Sequence, residues 1–155
     1  MAELRTLLAG LGLGEVRTYI QSGNALFTSV ERDRATLART LEQAVDEAFG
    51  VPARVVLRTF AELAAVVDAH PFGDDASQSY VAFLAEAPPA EGLARLAELD
   101  VAPDRFEVVG SEVFLHYANG VQGARLTGAQ LERRLGVAAT ARNWRTVLRL
   151  VELAG

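Results

Sequence analysis

A concentration of side chains that could bind an anion lies near the C-terminal end of the chain. Thr140-Ala-Arg-Asn-Trp-Arg-Thr contains the only tryptophan of the 155 residues, with Arg142 and Arg145 on either side of it. Two guanidiniums at the start of a helix repel each other and the positive end of the helix dipole unless an anion or a carboxylate compensates them. Arg142, Asn143 and Arg145 are therefore candidate ligand-binding residues. The structural alternative is a salt bridge to one of the twenty acidic residues.

Trp144 itself is predicted to anchor a core. Val147, Leu148 and Val151 follow it at helical spacing, which would place the indole on an apolar helix face. An indole buries on the order of 200 Å² when it is enclosed. A surface that stacks on a ligand is the alternative interpretation.

A second concentration of polar groups lies in the first part of the chain. Tyr19, Gln21, Ser22 and Asn24 bring a phenol, two amides and a hydroxyl close to Gly23. Tyr19 and Gln21 would project from the same side of an extended strand, as a small polar surface. These four residues are candidate ligand-binding residues, although Ser-Gly-Asn is also ordinary turn chemistry.

A glycine-rich segment supplies a third candidate for anion binding. Gly120-Val-Gln-Gly123 lies between a predicted strand and a predicted helix, which is the order found in phosphate-binding loops, and Arg125 follows it. The segment lacks the full G-x-G-x-x-G pattern. Arg125 is nevertheless included among the candidate residues.

Other kinds of chemistry find no support in the sequence. His70 and His116 are isolated from each other and lack metal-ligand spacing, and Ser22 has no nucleophile-elbow motif around it. The chain has no cysteine, and all fifteen basic residues are arginine, which excludes a thiolate metal site and a Schiff-base lysine. We predict no catalytic residue, no metal site and no cofactor.

The candidate residues must be positioned by a mixture of helices and strands. Apolar residues recur at helical spacing in six segments and at strand spacing in six others. The predicted helices cover residues 2–10, 32–49, 60–69, 90–99, a segment after Thr127 that ends at 135, and about 143–153. The predicted strands cover residues 16–20, 25–28, 55–57, 80–84, 106–109 and 113–117.

The order of these elements predicts an α+β fold. Residues 1–58 read α-β-β-α-β and residues 80–153 read β-α-β-β-α-α, and both are fragments of the ferredoxin-like β-α-β-β-α-β plan. We expect two ferredoxin-like-related halves with antiparallel or mixed sheets, plus a C-terminal helix. The polar loop 74–79 suggests a boundary that separates residues 1–73 from residues 74–155.

Two segments resemble a known bacterial family. Thr140-Ala-Arg-Asn-Trp-Arg-Thr-Val-Leu-Arg-Leu and Val16-Arg-Thr-Tyr-Ile-Gln-Ser-Gly-Asn-Ala-Leu-Phe are similar to the marked segments of the family catalogued as domain of unknown function number 1697. The weaker segments His70-Pro-Phe and Tyr80-Val-Ala-Phe-Leu also fit. The resemblance covers essentially the whole chain. It implies a two-subdomain α+β fold and no established activity.

The resemblance also implies that an N-terminal segment of the family is missing from this chain. Proteins of that family start with an additional strand and a glycine-containing basic loop, which precede the helix at which this chain opens. Loss of a central strand would leave residues 25–28 and 55–57 without a shared neighbour, with unpaired edges that favour self-association. For an ordered monomer we expect these two strands to close up as a parallel pair through the helix 32–49.

The charge and hydropathy of the chain argue against nucleic acids and membranes as partners. The net charge of −5 disfavours generic nucleic-acid binding, and no apolar run approaches the roughly 18 residues of a membrane span. No export signal is evident at the N-terminus, which together with the absence of cysteine points to the cytoplasm.

Two functions follow as hypotheses. The first is a cytoplasmic binding module in which the segments Tyr19–Asn24 and Arg142–Arg145 meet at one face and bind a small anionic or nucleic-acid-like ligand. The alternative is an enzyme acting on a small phosphorylated or nucleotide-like substrate, with Arg142 and Arg125 stabilising charge and Tyr19 or His70 as acid or base. An enzyme would show a pocket with a titratable group of perturbed pKa beside the arginines, whereas a binding face would be shallow.

Overall fold

The computed structural model describes residues 2–19, 23–71, 78–120 and 123–155. The chain divides into two compact units, Met1–Leu57 and Arg58–Gly155. This division lies earlier than the boundary suggested by the polar loop 74–79. The reason is that the helix after residue 59 packs against the last helix of the chain and therefore belongs to the second unit.

The first unit consists of two helices and one β-hairpin. In chain order these are α1 (Ala2–Gly10), β1 (Gly14–Tyr19), β2 (Asn24–Thr28) and α2 (Arg34–Phe49). The two strands pair antiparallel, as predicted, with a register irregularity between Gly14 and Arg17. Among the described residues of this unit the buried apolar side chains are Leu8 and Leu41. The unit therefore has a small core.

Helix α2 ends where its sequence predicts. Gly50 takes a left-handed conformation with φ 66°, and its N–H donates to the carbonyl of Asp46 at 2.8 Å. Glycine adopts this conformation without the steric cost of a Cβ, which is why it commonly terminates helices.

The prediction of a strand over residues 55–57 is wrong. The segment forms no strand, and β2 pairs with β1 alone in the described part of the chain, so the expected parallel pair is also wrong. The N–H of Val55 donates instead to Oε2 of Glu42 at 2.9 Å. A side chain of α2 therefore occupies a donor that a strand would have offered to a neighbouring strand.

The second unit contains a four-stranded sheet with helices. In chain order its elements are α3 (Phe60–Ala69), β3 (Ser79–Leu84), α4 (Ala90–Ala97), β4 (Arg105–Val109), β5 (Glu112–His116), α5 (Gly128–Leu135), β6 (Ala139–Asn143) and α6 (Trp144–Ala154). The strand order is β4-β5-β3-β6, and all neighbouring strands are antiparallel. The mixed α+β class and the C-terminal helix are confirmed.

Strand β6 was not predicted as a strand. Its sequence, Ala-Thr-Ala-Arg-Asn, is poor in the β-branched and aromatic residues that favour strands. It nevertheless pairs with β3 along its whole length, from Leu84 opposite Ala139 to Tyr80 opposite Asn143. With β6 included, the elements from β3 onward have the order β-α-β-β-α-β, followed by α6.

The main core lies on the face of the sheet covered by α4 and α5. Its buried side chains are Ala82, Leu84, Leu96, Val101, Val113, Leu115, Tyr117, Leu126, Leu131, Leu135 and Val137. The Tyr117 hydroxyl donates to the carbonyl of Leu126 at 3.1 Å. Burial, followed by the negative charge of Asp104, raises the pKa of Tyr117 to about 12.

Helices α4 and α5 approach closely at Gly92, and this contact gives a testable prediction. A Cβ at Gly92 would lie 2.4 Å from the carbonyl oxygen of Leu135 and 3.0 Å from its carbonyl carbon and Cα. These are backbone atoms, so relief requires the two helices to move apart. We expect Gly92→Ala to lower the free energy of unfolding by about 1–3 kcal/mol, measured by chemical denaturation.

The matched control is Gly128→Ala in the first turn of α5. A Cβ there would meet nothing within 4 Å. We expect it to leave stability unchanged or to raise it by up to about 1 kcal/mol, because alanine loses less chain entropy than glycine in a helix. Equal denaturation midpoints for Gly92→Ala and the unaltered protein would contradict the predicted close contact.

On the opposite face of the sheet α6 packs against β3 and β6, and α3 packs against α6. Arg58, which precedes α3, lies at the end of β3. Its Nε lies 2.8 Å from Oε2 of Glu112, and its Nη2 donates to the carbonyls of Leu84 and Ser111 at 2.8 and 3.0 Å. The guanidinium also lies over the ring of Phe83, 5.6 Å from its centroid. One side chain therefore ties together the end of β3 and the turn between β4 and β5.

Candidate functional site

The junction between β6 and α6 is formed by Asn143, the last residue of the strand and the N-cap of the helix. Its Oδ1 accepts a hydrogen bond from the N–H of Thr146 at 2.8 Å. Asparagine is favoured at this position because its side chain satisfies a backbone donor that has no partner within the helix. Arg142, Asn143 and Arg145 together are called the α6 entrance below.

Arg142 lies on β6, directly opposite Val81 of β3. Its Nη1 donates to Oγ1 of Thr140 at 2.6 Å and to the carbonyl of Ala141 at 2.9 Å. The side chain is half-buried, and this burial lowers the pKa of its guanidinium from the ordinary value. The guanidinium of Arg142 therefore contacts neighbouring oxygen atoms and does not point into bulk solvent.

Arg145 has a different environment. It is the second residue of α6 and its side chain is exposed. The two arginines are thus separated by the N-cap and by Trp144, with one cation on the strand and one on the first helical turn. That one of them meets a carboxylate or the segment Gln21–Asn24 stays a prediction.

Trp144 is buried, as predicted, with 6% of its surface exposed. The His70 ring stacks on it with centroids 4.0 Å apart and an interplanar angle of 22°. The same imidazole lies at 74° to the ring of Phe114 of β5, with the ring centroids 5.9 Å apart. The enclosed indole joins α6 to the end of α3 and to the sheet, so it serves as a core anchor and not as a surface for stacking a ligand.

The candidate residues of the first unit lie at the end of its hairpin. Tyr19 and Asn24 form the last pair of the ladder between β1 and β2. Asn24 is buried, and its Nδ2 donates to the carbonyl of Tyr19 at 3.2 Å, while Gly23 has φ 85°. Turn formation therefore accounts for Asn24 and Gly23. Gln21 and Ser22 lie outside the described residues.

Arg125 follows a loop that is held by a buried carboxylate. Oδ1 of Asp104 accepts from the N–H of Ala118 at 3.0 Å, and Oδ2 accepts from the N–H of Arg125 at 2.8 Å. Asp104 is 6% exposed. Two backbone donors that an anionic ligand could have used are thus occupied by an internal anion, while the Arg125 side chain is exposed.

Asp104, which follows Pro103, was not among the residues that the sequence singled out. A lone aspartate after a proline is common in turns, so its spacing carried no signal of a buried role. Arg58 and Glu112 were missed for the same reason, because nothing local in the sequence distinguishes them from surface charges.

Two clefts can be described among residues 2–19, 23–71, 78–120 and 123–155, and no residue of the α6 entrance lines either of them. A cleft of about 180 Å³ in the first unit is lined mainly by apolar residues, including Leu11, Leu37 and Leu41. An open cleft of about 600 Å³ in the second unit lies beside β4. The described residues contain no cluster of three or more metal-ligating side chains. In the same part of the chain no helix combines the length and apolarity needed to cross a membrane.

Comparison with known proteins gives a family and a fold. The model of the family described as "Protein of unknown function (DUF1697)" matches residues 1–114. Among solved structures, the conserved bacterial protein SP0830 from Streptococcus pneumoniae is similar at a TM-score of 0.79 and 23% sequence identity, with 99% of this chain and 88% of that chain covered. No curated protein matches significantly. The structural similarity shows a shared fold, and it carries no assigned activity.

Proposed function

Because the chain belongs to the DUF1697 family, whose description assigns no activity, we propose on geometric grounds that it is a binding module for a small anionic ligand held at the α6 entrance. The observation that carries the proposal is Arg142. Its guanidinium is half-buried and fixed by Thr140 and Ala141 directly before the N-cap of α6.

A guanidinium held in this way is suited to an anion for two reasons. Its side chain is already ordered, so a ligand does not have to offset the entropy of immobilising a long, flexible chain. Partial burial also strengthens the attraction between opposite charges, because the surrounding medium screens them less than water does. The planar group presents N–H donors on Nε, Nη1 and Nη2, which suits it to oxygen atoms of an anion.

The first turn of α6 adds to this attraction. Backbone N–H groups at the start of a helix carry a partial positive charge, and Arg145 places a full charge beside them. The side chain of Asn143 accepts a hydrogen bond from the N–H of Thr146, and this bond fixes the conformation of the first turn. The ligand class that fits is a compact group such as phosphate or carboxylate, including the phosphate of a nucleotide.

The proposal also includes the other candidate residues, each group of which would make its own contact with a ligand. Tyr19, Gln21, Ser22 and Asn24 form a polar segment of the sequence of the first unit, and Arg125 adds an exposed cation in the second. We further infer a bacterial, cytoplasmic protein with ferredoxin-like-related halves. The similarity to a solved bacterial protein supports the first of these inferences.

An enzyme acting on a phosphorylated or nucleotide-like substrate is the second candidate, and His70 is the observation that favours it. Its imidazole stacks on Trp144, the residue next to Arg145. Burial of the His70 Nε2 atom argues for a packing role of this imidazole. The geometry therefore supports binding better than catalysis.

The test is a thermal-shift screen followed by calorimetry with inorganic phosphate, mononucleotides and sugar phosphates. A ligand that binds only the native state raises the melting temperature by mass action. We expect Arg142→Gln to weaken binding by about tenfold to a hundredfold, since hydrogen bonds to a charged group contribute about 1.5–3 kcal/mol. Arg145→Gln should have a smaller effect because its charge is exposed.

The matched control is Arg133→Gln, which removes an exposed arginine from the last turn of α5. It changes the net charge by the same amount and should leave the affinity nearly unchanged. The proposal would be overturned if none of these anions stabilised the protein. Equal affinities for Arg142→Gln and Arg133→Gln would also overturn it.

A further inference from the structure

The sheet of the second unit ends on one side at β4, and this edge is regular. In the described part of the chain β4 has a ladder partner on one side only, β5. Their register runs without a shift from Arg105 opposite His116 to Val109 opposite Glu112. The strand contains no proline and no lysine. Proline and β-bulges are two of the devices with which proteins commonly prevent the pairing of an edge strand, and β4 has neither in its ladder with β5.

The side chains of β4 divide between two faces. Phe106 and Val108 pack against the main core, whereas Arg105, Glu107 and Val109 are exposed on the other face. Two opposite charges therefore stand two residues apart on one exposed face. An antiparallel copy of the same strand can therefore place a negative charge opposite Arg105 and a positive charge opposite Glu107.

An open cleft borders β4. Its volume is about 600 Å³, and it is lined by β4, by residues of the segment 99–104 that precedes the strand, and by Pro71. A neighbouring strand would need to lie about 4.8 Å away from β4.

The charges select one register for a symmetric antiparallel pair. Residues directly opposite each other in such a pair lie on the same face, so the two-fold axis must pass through a residue position. With the axis at Phe106, Arg105 lies opposite Glu107 of the second copy, and the pairing occurs twice. With the axis at Glu107, two carboxylates would face each other, which is unfavourable.

From this edge we propose that β4 is a dimerisation strand whose partner is a second copy of the same chain. The two sheets would join into one eight-stranded sheet, with Arg105 and Glu107 of each copy paired across the junction. An isologous contact of this kind needs a self-complementary surface, and the alternating charges of β4 provide one. A second copy fits better than an unrelated peptide because its opposing strand carries the complementary charges in the required order.

The test measures oligomeric state by analytical ultracentrifugation over about a hundredfold range of protein concentration. We expect the unaltered chain to dimerise reversibly. Glu107→Arg should weaken the dimer by about tenfold or more, because two attractive pairs become two repulsive ones. The exchange variant Arg105→Glu/Glu107→Arg restores opposite charges in the same register, and it should restore the dimer.

The control is Glu86→Arg, the same charge change at an exposed residue after β3. It should leave the dissociation constant within about twofold of the original. A chain that stays monomeric throughout overturns the proposal, as does a dimer that Glu107→Arg leaves intact or that the exchange variant fails to restore. Because none of these residues belongs to the α6 entrance, the result is independent of anion binding.

Discussion

Replacing Trp144 with alanine is expected to lower the free energy of unfolding by about 3–5 kcal/mol. The indole is buried, stacks on His70 and lies at the start of the helix that covers one face of the sheet. Its loss leaves a cavity between α6 and the end of α3 that rigid neighbours fill only in part. The measurement is chemical denaturation followed by circular dichroism, since the variant has no tryptophan to report by fluorescence.

Two variants show whether the effect comes from packing. Trp144→Phe keeps an aromatic ring in the stack and should cost less than the alanine variant. Leu148→Ala changes a residue of the same helix that is 40% exposed, and it should cost less than about 1 kcal/mol. If Trp144→Ala cost no more than Leu148→Ala, the indole would not be the anchor that its burial indicates.

Replacing Arg58 with alanine is expected to have a comparable effect, again about 3–5 kcal/mol. The side chains of Arg58 and Glu112 are 7% and 17% exposed, and they form an ion pair at 2.8 Å. Without the guanidinium, a poorly solvated carboxylate loses its counter-charge. The carbonyls of Leu84 and Ser111 lose a donor at the same time. Thermal and chemical denaturation should agree on the loss.

A double variant separates the ion pair from general disruption. Arg58→Met/Glu112→Gln removes both charges while keeping side chains of similar size, so it should lose less stability than Arg58→Ala. Arg149→Ala breaks the exposed pair with Glu152, whose side chains are 49% and 70% exposed, and should cost at most about 1 kcal/mol. If the two variants Arg58→Ala and Arg149→Ala lost equal free energy of unfolding, the buried contacts of Arg58 would contribute no more stability than an exposed ion pair.

Elements with strong local signals were predictable from the sequence. Helix α2 has apolar residues at helical spacing and a glycine that stops it, and the hairpin of β4 and β5 turns at Gly110 with φ 60°. Such signals act within a few residues of each other. The structure confirms these elements to within one or two residues at their ends.

Residues 55–57 and strand β6 show where local signals fail. Val-Val-Leu has high strand propensity, yet the donor of Val55 is taken by Glu42, thirteen residues away in sequence. Ala-Thr-Ala-Arg-Asn has low propensity, yet β3 offers it a complete ladder. Pairing depends on which neighbour is available, and that information lies elsewhere in the chain.

The buried and functional residues likewise differ in whether they could be predicted from the sequence. Arg142, Asn143 and Arg145 could be grouped from the sequence because they are neighbours in it, and Asn143 could be proposed as a helix cap. The partners of Arg58 lie 26 to 54 residues away from it, and those of Asp104 lie 14 and 21 residues away, so the buried roles of both residues depend on the tertiary fold. No pattern of spacing connects such residues before the strands are placed.

In the described part of the chain, the carboxylate of Asp104 accepts hydrogen bonds from two main-chain N–H groups, those of Ala118 and Arg125. Every amino acid except proline carries that group. The anchoring of this loop therefore does not depend on the identity of the side chains at its two ends. Evolution, or a designed library, can exchange those side chains while one aspartate keeps both ends in place, which makes the loop a natural position for new binding specificities.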